Sequence, residues 1–463
     1  MFQKIFFLAI TITTAMVASG STAYAAGTQT ITATDNTIAT MSPDGVTNNR
    51  AAFQQLLDSA AAYDHTTINI PAGNYAFTGR VLLRSNVTIN FADGAKFISH
   101  NNTNFSYFST EPGYDSGVQN VTWNNPYFSS APDTNDGHFS SSMVHAKNIT
   151  YNHPTWYRAL GAGNHLLDIM GSSYITVNAP KVIGVTEAQK NSQANWFKEA
   201  IQVSYATRGS LGSNALDATP QVFDSLPSHH ITVKDGSFTP SYDDNGNITS
   251  LAPVPIGEHA DVSNQQIHDI AFTNNYILDP LPASTNRNEI LGVIHFLSTK
   301  NLTISNNTFE YKTAPANSYI ISVESYAKLP NMLPLENITI TGNTFKNVKP
   351  TKAYVLAQVL PGPYGTTPIN TLTISGNTVW VTGNHPEFIE TINTAHIIGL
   401  TVSGNQFNPQ QNKLNQPGTG AQRLVTAPNT GAAPLGKPNP TLAIASLGLI
   451  CIASALYVIT KRR

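Results

Sequence analysis

A single cysteine, Cys451, stands in 463 residues. No disulfide can form within the chain, and no cysteine-built metal site can be assembled. Charge is also scarce. The chain carries 25 basic and 27 acidic residues, a net charge of −2, and 11% charged residues in all, against a usual ~25%. Such a balance provides no electrostatic footprint for nucleic acid. No glycine-rich phosphate loop precedes a helix, so nothing calls for a nucleotide or redox cofactor. The thirteen histidines never fall at a metal-ligand spacing along the sequence, and no metal site is expected from them. The surface must draw its polarity from Asn, Ser and Thr.

What is present is a repeated phrase. Asn301-Leu-Thr-Ile-Ser-Asn-Asn-Thr-Phe309 returns as Asn337-Ile-Thr-Ile-Thr-Gly-Asn-Thr-Phe345, Thr371-Leu-Thr-Ile-Ser-Gly-Asn-Thr-Val379 and Gly399-Leu-Thr-Val-Ser-Gly-Asn-Gln-Phe407. Looser copies begin at Asn148, Tyr174, His230 and Asp269. Apolar and polar residues alternate within each copy, which is strand periodicity. The Asn-Asn or Gly-Asn pair that follows tolerates left-handed backbone and turns the chain. The clearest copies lie roughly 28–36 residues apart, so each is a unit that must stack on its neighbours to bury its apolar side. The period of two, with β-branched residues, excludes helical solenoids, and one marked strand per repeat argues against the four-stranded blades of a propeller. The pattern predicts an all-β parallel β-helix over about residues 26–410, with Asn stacking into a ladder from coil to coil.

Upstream, Ser42-Pro-Asp-Gly-Val-Thr-Asn-Asn-Arg50 precedes an amphipathic segment, Ala51–Ala60, whose Phe53, Leu56, Leu57 and Ala60 share a face. A helix there would cover the open first coil. Thr67-Ile-Asn-Ile-Pro-Ala-Gly-Asn-Tyr75 then reads as a strand ending in a turn. The Asp-Gly-x-Thr-Asn-Asn segment, the helix and the Ile-x-Ile-Pro-x-Gly-x-Tyr strand together resemble the entry to the pectate-lyase-like superfamily. The resemblance spans about residues 35–410. It implies a right-handed β-helix and a scaffold that hosts glycoside hydrolases, polysaccharide lyases, epimerases and phage tailspikes. The polygalacturonase set of Asn-Thr-Asp, Asp-Asp, Gly-His-Gly and Arg-Ile-Lys is absent. Its nearest echoes are Lys198-Glu199-Ala-Ile-Gln-Val203 and Gly257-Glu258-His259.

The two ends read as export and anchoring signals. Residues 1–25 carry Lys4, an apolar run and Ala23-Tyr-Ala25, the layout of a secretory signal peptide. Residues 411–440 are rich in Gln, Asn, Pro and Gly, an unpacked linker. Residues 441–460 carry no charge and are long enough to cross a bilayer as a transmembrane helix. The basic tail Lys461-Arg-Arg463 would stay cytoplasmic. Ala427-Pro-Asn-Thr-Gly431, the apolar span and the tail together resemble a sortase-type cell-wall sorting signal. That resemblance implies cleavage between Thr430 and Gly431 and attachment to peptidoglycan, with a plain membrane anchor as the alternative. Either way the β-helix faces outward from the cell surface.

The middle third breaks the repeat, and such breaks tend to carry function. It gathers His165 and Asp168, then Glu199 and Gln202, then His259 and Asp261, with Trp196 and Tyr205 nearby. Equivalent points on successive coils stand about 4.8 Å apart. Glu199, Asp168, His259 and His165 are therefore the candidate catalytic residues, lining one face as carboxylate and imidazole acid–base groups. Gln202, Trp196, Tyr205 and Asp261 are the candidate substrate contacts. Asp243-Asp-Asn-Gly-Asn247 has the oxygen density of a calcium loop but also reads as a hairpin turn. The expected function is a surface-anchored glycoside hydrolase acting on a polysaccharide. A polysaccharide lyase, or a non-catalytic glycan-binding or adhesive solenoid, remains open.

Overall fold

In the computed structural model the described residues are 27–409, apart from 133, 135–136, 163, 191–198, 208–221, 259, 283–290 and 315, together with 425–426. The expected signal sequence at 1–25, most of the expected linker, the expected sorting motif with Thr430 and Gly431, and the apolar span at 441–460 lie outside them. Among the described residues no helix is long and apolar enough to cross a membrane.

The chain winds as a parallel β-helix. Each regular coil gives one strand to each of three parallel sheets, here called sheets 1, 2 and 3. One full coil runs through Thr299–Ser305 in sheet 1, Thr308–Glu310 in sheet 2 and Tyr319–Tyr326 in sheet 3. The next begins at Leu335–Thr341. The repeated phrase is thus the sheet 1 strand, its turn and the start of the sheet 2 strand. Its alternation decides which side is buried. Leu302, Ile338 and Leu372 align on adjacent coils, as do Ile304, Ile340 and Ile374. All six are buried, and each such side chain contributes ~1.5–3 kcal/mol by leaving water.

Asparagine ladders run beside this core. Asn275, Asn307, Asn343 and Asn377 are buried at the corner between sheets 1 and 2. Each donates its amide Nδ2 to the Oδ1 of the next, ending on Asn405. Each also accepts or donates backbone bonds that would otherwise go unmet at the turn. The residues just before them, Asn306, Gly342 and Gly376, have φ of +56°, +65° and +62°, which explains the Asn-Asn and Gly-Asn pairs. An outer ladder links Asn86, Asn120 and Asn148, and again Asp269, Asn301 and Asn337.

The expected helix is present as Arg50–Ser59. Phe53 inserts edge-on against Phe77 and Phe97, with centroids 5.9 and 5.2 Å away, so the helix closes the first coils. The 243–247 segment resolves as a turn. It joins the antiparallel strands Ser241–Tyr242 and Ile248–Ser250. Asp243 accepts from the backbone amides of Asn245 and Asn247 and from the Asn247 side chain, so its oxygens already close the hairpin.

Candidate functional site

The candidate site lies on sheet 3, where register fixes the geometry. Leu167, Ile201, Ile256 and Ile294 form the inward row: Leu167 pairs with Ile201 and Ile201 with Ile256. The neighbouring row of opposite orientation reads Ser142, Asp168, Gln202, Gly257, His295 and Ser322 on six successive coils. This row points away from the apolar core, yet Asp168 and Gln202 are only 6% and 1% exposed. Asp168 Oδ1 and both terminal atoms of the Gln202 amide are buried without a hydrogen-bond partner. Buried polar atoms in that state are rare in folded proteins and favour a ligand that would satisfy them.

Glu199 opens the strand Glu199–Ser204 and is 1% exposed. Its Oε1 stands 2.8 Å from His295 Nε2, close enough for a charge pair but not aligned as a hydrogen bond. His295 Nδ1 lies 3.2 Å from the Gly292 carbonyl oxygen. A carbonyl only accepts, so Nδ1 carries hydrogen in this contact, and Nε2 faces the carboxylate, which favours a second proton there. Burial alone would depress the His295 pKa, but Glu199 prevails and raises it above 6.5. Gly257 makes this contact sterically feasible. A Cβ there would fall 2.3 Å from His295 Nε2, so the ring occupies the space a side chain would have filled.

His165 joins the group from the other side. Its Nδ1 donates to the Glu199 backbone carbonyl at 2.9 Å and lies 3.8 Å from Glu199 Oε2. Burial lowers its pKa, which keeps it neutral. Burial also pushes the Asp168 carboxyl well above 3.8, and the Glu199 charge pushes it further. Asp168 therefore holds its proton where an ordinary carboxyl has lost it. Glu324, two coils beyond Gly257, is raised by burial as well and accepts from the Leu291 amide and from Gln358.

The structure thus brings Asp168, Glu199, His165 and Gln202 into one buried group. His259 and Trp196 lie outside the described residues. Tyr205 is elsewhere: it sits in the apolar core with its hydroxyl 2.6 Å from Ser298 Oγ. Asp261 pairs with Lys328 at 3.1 Å. Sequence reasoning missed His295 and Glu324. His295 interrupts the otherwise apolar strand Gly292–Phe296, which was an available signal, whereas Glu324 lies in Tyr319–Tyr326 beside Ser322 and Ser325, where it stands out less. Glu258, beside the expected His259, is structural. It accepts from the Leu297 and Ser298 amides and from the Ser298 and Thr299 hydroxyls.

No known protein family matches the chain, and no curated protein matches it. Solved structures do. The crystal structure of PfbA, a surface adhesin of Streptococcus pneumoniae, aligns with TM-score 0.57 and 18% identity over 79% of this chain and 88% of that one. A second structure of that Streptococcus pneumoniae surface protein and adhesin aligns with TM-score 0.50 and 16% identity, over 79% and 95%. At this identity the likeness establishes the shared parallel β-helix.

Proposed function

We propose that this chain is a cell-surface glycoside hydrolase, with Asp168 as the acid and Glu199 as the second carboxylate. The observation that carries the reading is their contrast within one group. Asp168 is driven to keep its proton, while Glu199 faces the imidazole of His295. Two carboxyls in opposed surroundings are the arrangement that divides acid and base roles. Asp168 gives its proton to the glycosidic oxygen as that bond breaks. Glu199 then either takes a proton from the attacking water or attacks the anomeric carbon itself. The unsatisfied Gln202 amide binds a sugar hydroxyl beside them.

A lyase is disfavoured, because the row from Ser142 to Ser322 carries no Lys or Arg to serve as base at a uronate. A binding-only solenoid is the second reading, favoured by the near-complete burial of Asp168 and Glu199. A reducing-sugar screen of plant, host and microbial glycans separates them. Release of new reducing ends supports hydrolysis, and binding to a glycan without release supports the second reading. Export by residues 1–25 and wall attachment at Thr430 place either activity outside the cell. Thr430→Ala would leave the chain in the membrane fraction, and release of the unaltered protein by detergent alone would contradict wall attachment.

A further inference from the structure

On the outer side of sheet 1, far along the coil from the carboxylates of sheet 3, three histidines converge. His229 and His268 occupy the same position on adjacent coils, and their rings stack with centroids 4.7 Å apart and planes 5° apart. His230 Nδ1 lies 2.7 Å from His229 Nδ1. One ring nitrogen from each of His229, His230 and His268 falls within 4.8 Å of the other two. Asp269 backs the group: its Oδ2 is 2.7 Å from His268 Nδ1 and 3.5 Å from His230 Nδ1.

The location has a second feature. His230 belongs to the column of the outer asparagine ladder. That column is amide-bonded from Asn86 to Asn148 and again from Asp269 to Asn337. Between those stretches stand Tyr174 and His230, with φ of +57° and +56°. Asn and Gly adopt left-handed backbone readily, whereas Tyr and His do so at a cost of about 1 kcal/mol or more. Ladder bonding is thus given up where the imidazoles meet, as it is again at Thr371, with φ of +58°, beyond Asn337. Tyr174 packs on His230 at 4.6 Å and Tyr114 on His229 at 4.8 Å, which holds the rings in place.

We propose that His229, His230 and His268 form a binding site for a borderline divalent transition-metal ion such as Zn2+, with Asp269 orienting His268. Imidazole nitrogen is the donor such ions prefer over Mg2+ or Ca2+. In a tetrahedral site at ~2.05 Å from the metal, ligand nitrogens stand about 3.3 Å apart. The 2.7 Å pair must open slightly, and the wider pairs, within 4.8 Å, must close by up to about 1.5 Å. His230 is exposed and can make that adjustment. One of the two Nδ1 atoms must carry hydrogen for their 2.7 Å contact, and on metal binding that proton moves to the ring's Nε2, leaving both Nδ1 lone pairs for the metal. The Asp269–His268 contact is the carboxylate–histidine pairing that fixes the ligand tautomer in many metal sites. The ion would tie two coils together where the amide ladder is broken.

The test uses the full chain without an affinity tag, freed of metal by a chelator and titrated with ZnCl2 by calorimetry. One saturable Zn2+ per chain is expected, with affinity falling at least about tenfold in His268→Ala and stoichiometric binding lost in the combined His229→Ala, His230→Ala and His268→Ala variant. His295→Ala should bind as the unaltered chain does, which separates this site from the buried imidazoles of sheet 3. Chemical modification of histidines on the unaltered chain, mapped by mass spectrometry, needs no variant. Zn2+ should shield His229, His230 and His268. Unchanged binding in the triple variant, no saturable binding below millimolar Zn2+, or no shielding of these residues would each overturn the proposal.

Discussion

The His295 imidazole lies over Gly257, its Nε2 only 2.3 Å from where a Gly257 Cβ would stand. A missing side chain on one coil lets a residue of the next coil reach back to Glu199, 2.8 Å away. The contact depends on both residues and on their register in sheet 3.

Gly257→Ala should therefore push His295 off Glu199. The added methyl meets a side-chain ring rather than backbone, so the fold should survive with a cost of about 1–3 kcal/mol. Turnover should fall by about tenfold or more, because small displacements of a positioned group are costly. Kinetics and thermal unfolding measured together check this. Full activity would mean the contact is incidental.

The inner ladder should matter far more than the outer one. Asn343→Ala would leave the Asn307 backbone N–H without its acceptor and remove one bond each from Asn307 Nδ2, the Ile304 carbonyl and Asn377 Oδ1, all buried. Each such loss costs about 1–3 kcal/mol, so the total should reach at least about 3 kcal/mol in chemical denaturation. Asn337→Gly removes one exposed bond while keeping the left-handed backbone, and should change stability by only ~0.5 kcal/mol.

The periodicity of the sequence carried the coil, because stacked Ile and Leu rows require alternation that is visible residue by residue. The turn pairs and the capping helix were legible for the same reason. The site was partly legible. Asp168 and Glu199 interrupt apolar strands, and coil spacing placed them together. His295 was not legible, because its role depends on the side chain that Gly257 lacks one coil earlier. The three surface histidines were invisible to a search for short ligand spacings, since His230 and His268 are neighbours only through one turn of the coil. Tyr205 looked like a sugar platform in the linear sequence, but its strand parity turns it into the core.

Glu258 should give stability a pH dependence. Burial raises its pKa from 4.5 to about 7, despite the donors around it. The folded chain thus holds this proton more tightly than the unfolded chain does. The stabilisation is complete below about 4.5 and is lost as pH rises through about 7, a span of roughly 3 kcal/mol. Asp168, Glu324 and His295, all raised, act in the same direction. His165, lowered, opposes them as pH falls below 6.5. The melting temperature should decline between pH 5 and 8, and less steeply in Glu258→Gln. An identical slope in that variant would contradict the assignment.

The central claim concerns Glu199 and Asp168 as a reacting pair. Its most direct measurement compares hydrolysis and binding in Glu199→Gln and Asp168→Asn, using a glycan that the unaltered chain cleaves. Both variants should lose turnover by ~10²–10⁴ or more, while sugar affinity and melting temperature stay close to those of the unaltered chain. Asp168→Asn should regain part of its rate on substrates whose leaving group needs no proton, and Glu199→Gln should not. Full turnover in either variant, or a collapse in stability that accounts for the lost rate, would contradict the account.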